Sequence, residues 1–134
     1  MSDDRTFRLS ETPVHLGLGA KAVLQESFTG TPDWYEMYGE RHTVDGNEGR
    51  LVSLHTFNEP WTSWEMHPHG AELVACTSGT ITLHQEVNGE ILPVTLTAGD
   101  AVVNPPGVWH TADATGPVTA LFITAGLGTE VRPR

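Results

Sequence analysis

A run of histidines and carboxylates at residues 64–72, WEMHPHGAE, is the part of this sequence best suited to chemistry. Glu65 and His67 are two positions apart, so on a strand their side chains project from the same face. The Pro-His-Gly segment favours a turn, which brings Glu72 to the start of the next strand, about 5 Å away. Because imidazole and carboxylate groups are common ligands of divalent metals, these residues can converge on one ion.

A second segment, residues 99–110, ends in a further histidine. It reads GDAVVNPPGVWH, in which Pro-Pro-Gly favours a tight turn that delivers His110 to a new strand. Asp100 and Asn104 are interpreted here as turn residues. Four other histidines stand alone in the sequence, and we expect them to be surface or half-buried strand residues: His15, His42, His55 and His84.

The elements that must position these residues are short strands. Fourteen glycines and nine prolines separate short apolar runs throughout the chain, a rhythm typical of an all-β barrel or sandwich. The predicted strands cover residues 50–57, 61–67, 71–77, 80–87, 90–97, 101–103 and 118–124. Residues 20–25 hint at a helix, residues 1–12 are expected to form an N-terminal arm, and residues 33–47 carry no clear pattern.

One hairpin is predicted in detail, because Asn-Gly at positions 88 and 89 is the strongest short-range hairpin signal. A two-residue turn there pairs Val87 with Glu90, Leu83 with Val94, and Ile81 with Leu96. That register places the apolar side chains of both strands on one face: Ile81, Leu83, Leu92, Val94 and Leu96. The agreement between turn and alternation supports this register.

The two chemical segments resemble the paired motifs of the cupins, which are small double-stranded β-helix barrels. The second cupin motif, G-x5-P-x-G-x2-H-x3-N, is met by Gly99, Pro105, Gly107 and His110, with Ala114 in place of the final asparagine. Glu72 and Gly79 match the second half of the first motif, G-x5-H-x-H-x3,4-E-x6-G. The resemblance covers residues 51–125. It implies an all-β fold, a cupin jelly-roll barrel with an N-terminal arm. One domain would span residues 1–134, with its motif-bearing barrel at 50–126.

Two alignments of the first motif remain open. In one, His67 and His69 form the H-x-H pair, but only two residues then separate His69 from Glu72. In the other, His67 takes the second histidine position, and Glu65 stands where the first histidine would be. We prefer the second alignment because it needs no deletion between strands. It predicts the metal ligands Glu65, His67, Glu72 and His110, with His69 as the reserve ligand.

The resemblance also implies a cofactor, a divalent metal ion. Fe(II), Mn(II), Ni(II) and Zn(II) all fit, because cupins carry each of them and mixed nitrogen and oxygen ligands suit such ions. An open coordination position would let the metal bind substrate or dioxygen. Glu65 is the candidate catalytic residue, as a general acid or base beside a three-ligand metal. Trp61 lies on the same strand face and is expected at the mouth of the pocket.

Two functions follow from the resemblance. The first is a metal-dependent enzyme acting on a small polar molecule, with oxygenase chemistry leading and isomerase or lyase chemistry as alternatives. The second is a non-catalytic small-molecule-binding or sensory cupin, in which Glu65 in place of a histidine marks a loss of activity. A homodimer is expected on either interpretation, since small cupins commonly dimerise and exposed strand edges invite pairing.

Composition and charge limit the partners further. Seventeen acidic and seven basic residues give a net charge of −10, which argues against nucleic acid and anionic membranes as partners. The chain carries no long apolar stretch and its start lacks an apolar signal core, so we expect a cytoplasmic protein. Cys76, the single cysteine, cannot form an internal disulfide and is expected to be a buried, inert thiol.

Overall fold

The computed structural model describes residues 4–134 and places eleven strands of that range in two antiparallel sheets, a jelly-roll arrangement. The strands are β1 (Val14–Gly17), β2 (Lys21–Leu24), β3 (Arg50–Phe57), β4 (Ser63–Met66), β5 (Glu72–Ser78), β6 (Thr80–Val87), β7 (Glu90–Thr97), β8 (Ala101–Asn104), β9 (His110–Ala114), β10 (Val118–Thr124) and β11 (Glu130–Pro133). One sheet has the order β2-β1-β3-β10-β5-β8 and the other β11-β4-β9-β6-β7. The predicted all-β jelly-roll fold is confirmed.

The core lies between the two sheets, where inward side chains alternate with outward ones along each strand. Its buried residues come from both sheets: Val74, Cys76, Ile81, Leu83, Leu96, Ala112, Ala114, Val118, Ala120 and Phe122. Cys76 is 1% exposed within this cluster, so the expected burial of its thiol is confirmed. Burial of these apolar surfaces holds the sheets together and fixes which face of each strand points inward.

The β6–β7 hairpin has the register that the sequence predicts. Val87 pairs with Glu90, Leu83 with Val94, and Ile81 with Leu96. Asn88 and Gly89 have φ angles of 53° and 80°, the left-handed values that this two-residue turn requires. Ile81, Leu83 and Leu96 are buried, whereas Leu92, three residues from the turn, is 47% exposed.

Residues 20–25, whose hint of a helix is too short to stand alone, form no α-helix, because Lys21–Leu24 form β2. This strand pairs in register with β1, Val14 opposite Leu24 and Gly17 opposite Lys21. Pairing with β1 provides hydrogen bonds for the backbone N–H and C=O groups of this segment. An isolated helix of this length would not be stable. Pairing with the edge of β1 therefore outweighs the helix propensity of this segment.

The unassigned segment at residues 33–47 falls within the main helix, α1 (Pro32–Arg41), and a 3-10 segment at Thr43–Glu48. A second, shorter 3-10 turn covers Leu18–Ala20. Pro32 opens α1, where its missing N–H costs nothing, and Asp33 and Arg41 complement the helix dipole at its two ends. Within residues 4–134 no helix is long and apolar enough to cross a membrane.

Candidate metal centre

Three strand ends bring the four predicted ligands together. Glu65 on β4 and His110 on β9 are paired directly across neighbouring strands. His67 follows β4, and Glu72 opens β5 in the opposite sheet. The turn between β4 and β5 therefore joins the two sheets at this point. The predicted delivery of His110 to a new strand is confirmed, since His110 is the first residue of β9.

The ligand atoms of this group lie within a few ångströms of one another. One atom each of Glu65, His67 and His110 can be chosen so that all three are within 4.8 Å of each other. The Nε2 atom of His110 is 3.1 Å from Glu72 Oε1 and 3.9 Å from Glu65 Oε2. The Nε2 atom of His67 is 3.3 Å from Glu72 Oε2. The structure thus brings these four side chains to one place.

The hydrogen bonds made by Nδ1 of His67 and of His110 determine the tautomer of each imidazole. The Thr129 hydroxyl donates to the Gly126 carbonyl at 2.9 Å, so the His67 Nδ1–H donates to Thr129 Oγ1 at 2.8 Å. The His110 Nδ1–H donates to the Val108 carbonyl at 3.3 Å. When either ring is neutral, its lone pair is therefore on Nε2, the atom that faces Glu72.

Those two Nε2 atoms are buried and have no hydrogen-bond partner among the residues that the structure describes. The carboxylate oxygens nearby are acceptors as well, so the group directs four acceptor side chains at one another. Such an arrangement is unfavourable unless a positive charge lies among them.

A buried network fixes the Glu72 carboxylate. Asn104 Nδ2 donates to its Oε1 at 3.0 Å, and the Thr124 hydroxyl donates to its Oε2 at 2.6 Å. Gln85 in turn donates to Asn104 Oδ1 at 2.8 Å. Burial opposes ionisation of Glu72, whereas positive charge on the His110 and His67 imidazoles would hold its pKa below the usual range. When the two rings are neutral, that positive charge has to come from a bound cation.

Asn104 is therefore more than the turn residue that we predicted, because it is 1% exposed and holds a carboxylate of this group. Its position one residue before the Pro-Pro turn gives no local signal of that role. Asp100 does act as a turn residue, accepting hydrogen bonds from the Thr97 backbone and hydroxyl.

Glu65 differs from Glu72 in its surroundings. Its side chain is 35% exposed and borders the cavity described below. Burial and the nearby charge of Glu72 raise the pKa of Glu65 above its usual range. His69, the reserve ligand, lies exposed in the turn before β5 with its ring against Gly128, outside this group.

The residues present fit a divalent metal ion. Two ligands at right angles, each about 2.1 Å from one ion, lie about 3 Å apart, close to the separations of Glu72 from the two imidazoles. Both histidines present their unprotonated nitrogens, and their opposite nitrogens donate to oxygen acceptors, as metal-bound histidines do. The donor set of two imidazoles and two carboxylates suits borderline ions.

A cavity of about 780 Å³ opens beside this group. Glu65, His67 and Glu72 line one end of it, and α1 covers it from above with Tyr35 and Tyr38. Its walls are largely apolar and aromatic, including Leu51, Trp61, Phe122 and Leu127. Trp61 therefore lines the pocket, as we expected. The volume lies within the range of pockets that bind small molecules.

The four histidines interpreted as isolated have different outcomes. His55 and His84 lie half-buried on β3 and β6, as expected. His15 is on β1 but is 1% exposed, and His42 lies at the C-terminal end of α1 rather than on a strand. Their rings stack on each other with centroids 3.7 Å apart. The expectation of an ordinary surface or half-buried strand position is wrong for these two residues.

Comparison with known proteins gives one family and a set of similar folds. The cupin domain family matches residues 58–125, just over half of the chain. A cupin-2 domain containing protein from Shewanella frigidimarina is 21% identical, with a TM-score of 0.48; the alignment covers 63% of this chain and 71% of that one. No curated protein sequence matches the chain.

Two solved hydroquinone 1,2-dioxygenases also align. One, in complex with Cd²⁺ and 4-hydroxybenzonitrile, is 15% identical with a TM-score of 0.51, covering 56% of each chain. The other, from Sphingomonas sp. TTNP3 with 4-hydroxybenzoate bound, is 16% identical with a TM-score of 0.47, covering 56% of this chain and 59% of that one. The alignments span less than two thirds of either dioxygenase chain. At these identities the likeness shows the fold alone.

Proposed function

Because this chain belongs to the cupin domain family, we propose that it binds a divalent metal through Glu65, His67, Glu72 and His110. The observation that carries the proposal is the pair of buried, unpartnered Nε2 lone pairs directed at the Glu72 carboxylate. A divalent cation would satisfy all of these acceptors at once. Fe(II), Mn(II), Ni(II) and Zn(II) are the candidate ions.

We further propose that the centre is that of an enzyme acting on a small polar molecule, with oxygenase chemistry leading and isomerase or lyase chemistry as alternatives. When bound, the metal would supply Lewis-acid or redox chemistry at an open coordination position. The substrate would occupy the cavity, where Trp61 and Phe122 offer apolar walls beside the charged end.

The two carboxylates have separate roles in this proposal. Glu72 is buried and held at both oxygens by Asn104 and Thr124, so it can only serve as a fixed ligand. Glu65 has neither of those hydrogen bonds and reaches the cavity. A carboxyl group in that position can hold a proton at one oxygen and exchange it with substrate, beside a metal held by the other three side chains. Glu65 is therefore the proposed catalytic residue as well as a ligand.

Metal content tests the first part. The protein would be purified without chelator or nickel affinity, and its metals measured by elemental mass spectrometry. We expect near-stoichiometric metal in wild type and in His69→Ala, and its loss in Glu65→Ala and His110→Ala. His69→Ala is the matched control, since it removes an imidazole four residues or fewer from three of the ligands without touching the group. Metal lost in His69→Ala but kept in Glu65→Ala would overturn this ligand set.

The Glu65→Gln variant separates an enzyme from a non-catalytic binding protein. If the protein is an enzyme, we expect Glu65→Gln to retain some metal but lose turnover, because the amide cannot exchange a proton. Unchanged ligand affinity in both proteins, with turnover in neither, would favour the small-molecule-binding alternative. A homodimer formed through exposed strand edges is part of the same proposal, and light scattering measures its mass.

A further inference from the structure

A second group of polar side chains lies at the other end of the same cavity. His15 on β1 and Asp45 in the 3-10 segment are 1% and 2% exposed. Asp45 Oδ2 is 2.6 Å from His15 Nε2, and the Tyr38 hydroxyl is 2.6 Å from His15 Nδ1. Tyr38 and His15 both line the cavity, whereas Asp45 lies behind them.

The protons in this group can be placed from the hydrogen-bond partners. The Asp45 carboxylate accepts from His15 Nε2, from Lys21 Nζ at 3.0 Å, and from the Leu18 backbone N–H at 3.2 Å. The hydrogen bonds from His15 and Lys21 lower the pKa of Asp45 to about 2, so it is ionised. His15 Nε2 therefore carries a proton, and in the neutral ring Nδ1 accepts from the Tyr38 hydroxyl.

This group is not arranged for a metal ion, although His15, His42 and Asp45 are close enough to be considered. Both ring nitrogens of His15 already have hydrogen-bond partners. The rings of His15 and His42 are stacked with an interplanar angle of 13°. Lone pairs lie in the ring plane, so those of two stacked rings run side by side and do not converge on one ion.

Two glycines provide the room for the His15–Asp45 pair. A Cβ atom on Gly17 would lie 2.3 Å from Asp45 Oδ2 and 2.8 Å from His15 Nε2. A Cβ atom on Gly49 would lie 2.9 Å from His15 Cε1. Any side chain at these positions would therefore displace the pair, so the backbone leaves space for this hydrogen bond specifically.

One row of the six-stranded sheet connects this group with the proposed metal centre. His15 pairs with Leu51, Leu51 with Thr124, and Thr124 with Glu72. Three strand spacings of about 4.8 Å place the two ends of the row about 14 Å apart. All four residues line the cavity. A ligand lying along the row would meet a polar group at each end and an apolar middle.

We propose that Tyr38, His15 and Asp45 form a proton relay that receives the proton of an acidic hydroxyl group, a phenol or an enol, on the cavity ligand. The ligand O–H bond breaks and its proton passes to Tyr38 Oη. The original Tyr38 proton passes to His15 Nδ1. The products are a ligand oxyanion and an imidazolium ion held against the Asp45 carboxylate. The inference rests on the proposed function only in taking this cavity as the ligand site.

Two further observations support the relay. Burial and the charge of Asp45 raise the pKa of Tyr38 well above its ordinary value, so Tyr38 passes on a proton without remaining ionised itself. The ring of His42 lies flat on His15, and its Nε2–H donates to Gln25 Oε1 at 3.2 Å. Burial lowers the pKa of His42, so a neutral ring lies beside the imidazolium that the relay forms. Tyr38 touches the ligand; His15 and Asp45 are positioning residues that act through it.

Chelator-treated protein tests the relay without the metal. The probes are 3-nitrophenol, whose phenolate has its own absorption band, and 3-nitroanisole, which lacks the hydroxyl. At a pH where free 3-nitrophenol is protonated, we expect wild type to bind it as phenolate. The ¹⁵N signals of His15 should shift to those of an imidazolium with 3-nitrophenol and not with 3-nitroanisole, while those of exposed His69 stay unchanged.

The variants make the test specific. Tyr38→Phe should bind 3-nitrophenol about tenfold more weakly, the value of one strong hydrogen bond, with unchanged affinity for 3-nitroanisole. Asp45→Asn should bind 3-nitrophenol without forming phenolate. The proposal is overturned if 3-nitrophenol does not bind, if Tyr38→Phe binds both probes as wild type does, or if His15 stays neutral. Because metal content is measured separately, either proposal can fail while the other holds.

Discussion

The two ends of the cavity use the same side chains in opposite ways. At the Glu72 end, two buried imidazoles direct unpartnered Nε2 atoms at carboxylates. At the His15 end, Tyr38 and Asp45 satisfy both ring nitrogens, and Lys21 adds a positive charge to the carboxylate. One end is therefore incomplete without a cation, and the other is complete.

This difference separates metal binding from proton transfer, two functions that the residue types alone do not distinguish. Each end holds three side chains of metal-ligating type whose ligand atoms lie within 4.8 Å of one another. Hydrogen-bond partners distinguish them, since a ligand nitrogen needs a free lone pair and a relay nitrogen needs a neighbour to exchange a proton with. The row from His15 to Glu72 allows both ends to act on one bound molecule.

The largest expected effect is thermal stabilisation by metal alone. At a metal concentration about 100 times the dissociation constant, binding to the folded state adds about 2.7 kcal/mol to the free energy of unfolding. For a domain of this size that corresponds to a rise of roughly 10 °C in Tm. We expect this rise, measured by scanning calorimetry with Zn²⁺ or Mn²⁺, in wild type and in Asp45→Asn.

The matched variants of that experiment are His110→Ala and His69→Ala. His110→Ala should lose the rise in Tm and His69→Ala should keep it. An equal loss of the rise in Asp45→Asn and His110→Ala would contradict the comparison, because both ends would then take part in metal binding.

The second effect is a loss of stability confined to the His15 end. Gly17→Ala places a methyl group where Asp45 and His15 already lie, and we expect it to lower the free energy of unfolding by about 1–3 kcal/mol. Gly116→Ala is the control, since a Cβ there would meet nothing within 4 Å. Denaturant unfolding measures both, and metal content should stay at the wild-type level in each.

How much of each end could be predicted from the sequence depends on how local its contacts are. The β6–β7 hairpin was predicted to the residue, because an Asn-Gly turn and strict alternation fix the register together. Glu65, His67 and Glu72 lie within eight positions of one another, so strand geometry predicts their approach. His110 is predicted as a further ligand only by the resemblance to a family, because the spacing of the residues does not reveal that β4 pairs with β9.

The His15 end left no comparable signal. His15 contacts Tyr38 across 23 positions and Asp45 across 30. Those partners lie in a helix and a 3-10 segment for which the sequence showed no clear period. Contacts of this kind arise from the packing of α1 and the 3-10 segment against β1, which no local pattern encodes. Sequence reasoning therefore found the incomplete end and missed the complete one.

A third, smaller effect concerns acid stability. The folded pKa of Asp45, about 2, is below its ordinary value of 3.8. Asp45 therefore contributes stability at pH values above its ordinary pKa, and this contribution is lost as pH falls towards 2. We expect the free energy of unfolding of wild type to decrease more steeply across this window than that of Asp45→Asn. Parallel curves from urea unfolding at several pH values would show that the carboxylate is not held by His15 and Lys21 in solution.

The smallest effect reverses sign with metal and concerns Glu65. Burial and the charge of Glu72 raise its folded pKa above the ordinary value of 4.5. A raised carboxyl pKa makes the folded state lose stability as pH rises from the ordinary pKa through the folded one. Metal-free Glu65→Gln should therefore be slightly more stable than wild type at neutral pH. We expect a difference below about 1 kcal/mol, because solvent reaches a third of the side chain.

With saturating metal we expect wild type to be more stable than Glu65→Gln, because metal binding stabilises wild type more than it stabilises the variant. Calorimetric scans of the two proteins, with and without Zn²⁺, measure the sign of their stability difference in each condition. Glu65→Gln less stable than wild type in both conditions would mean that Glu65 has a favourable partner without metal. The contrast between an incomplete end and a complete end would then no longer hold at this residue.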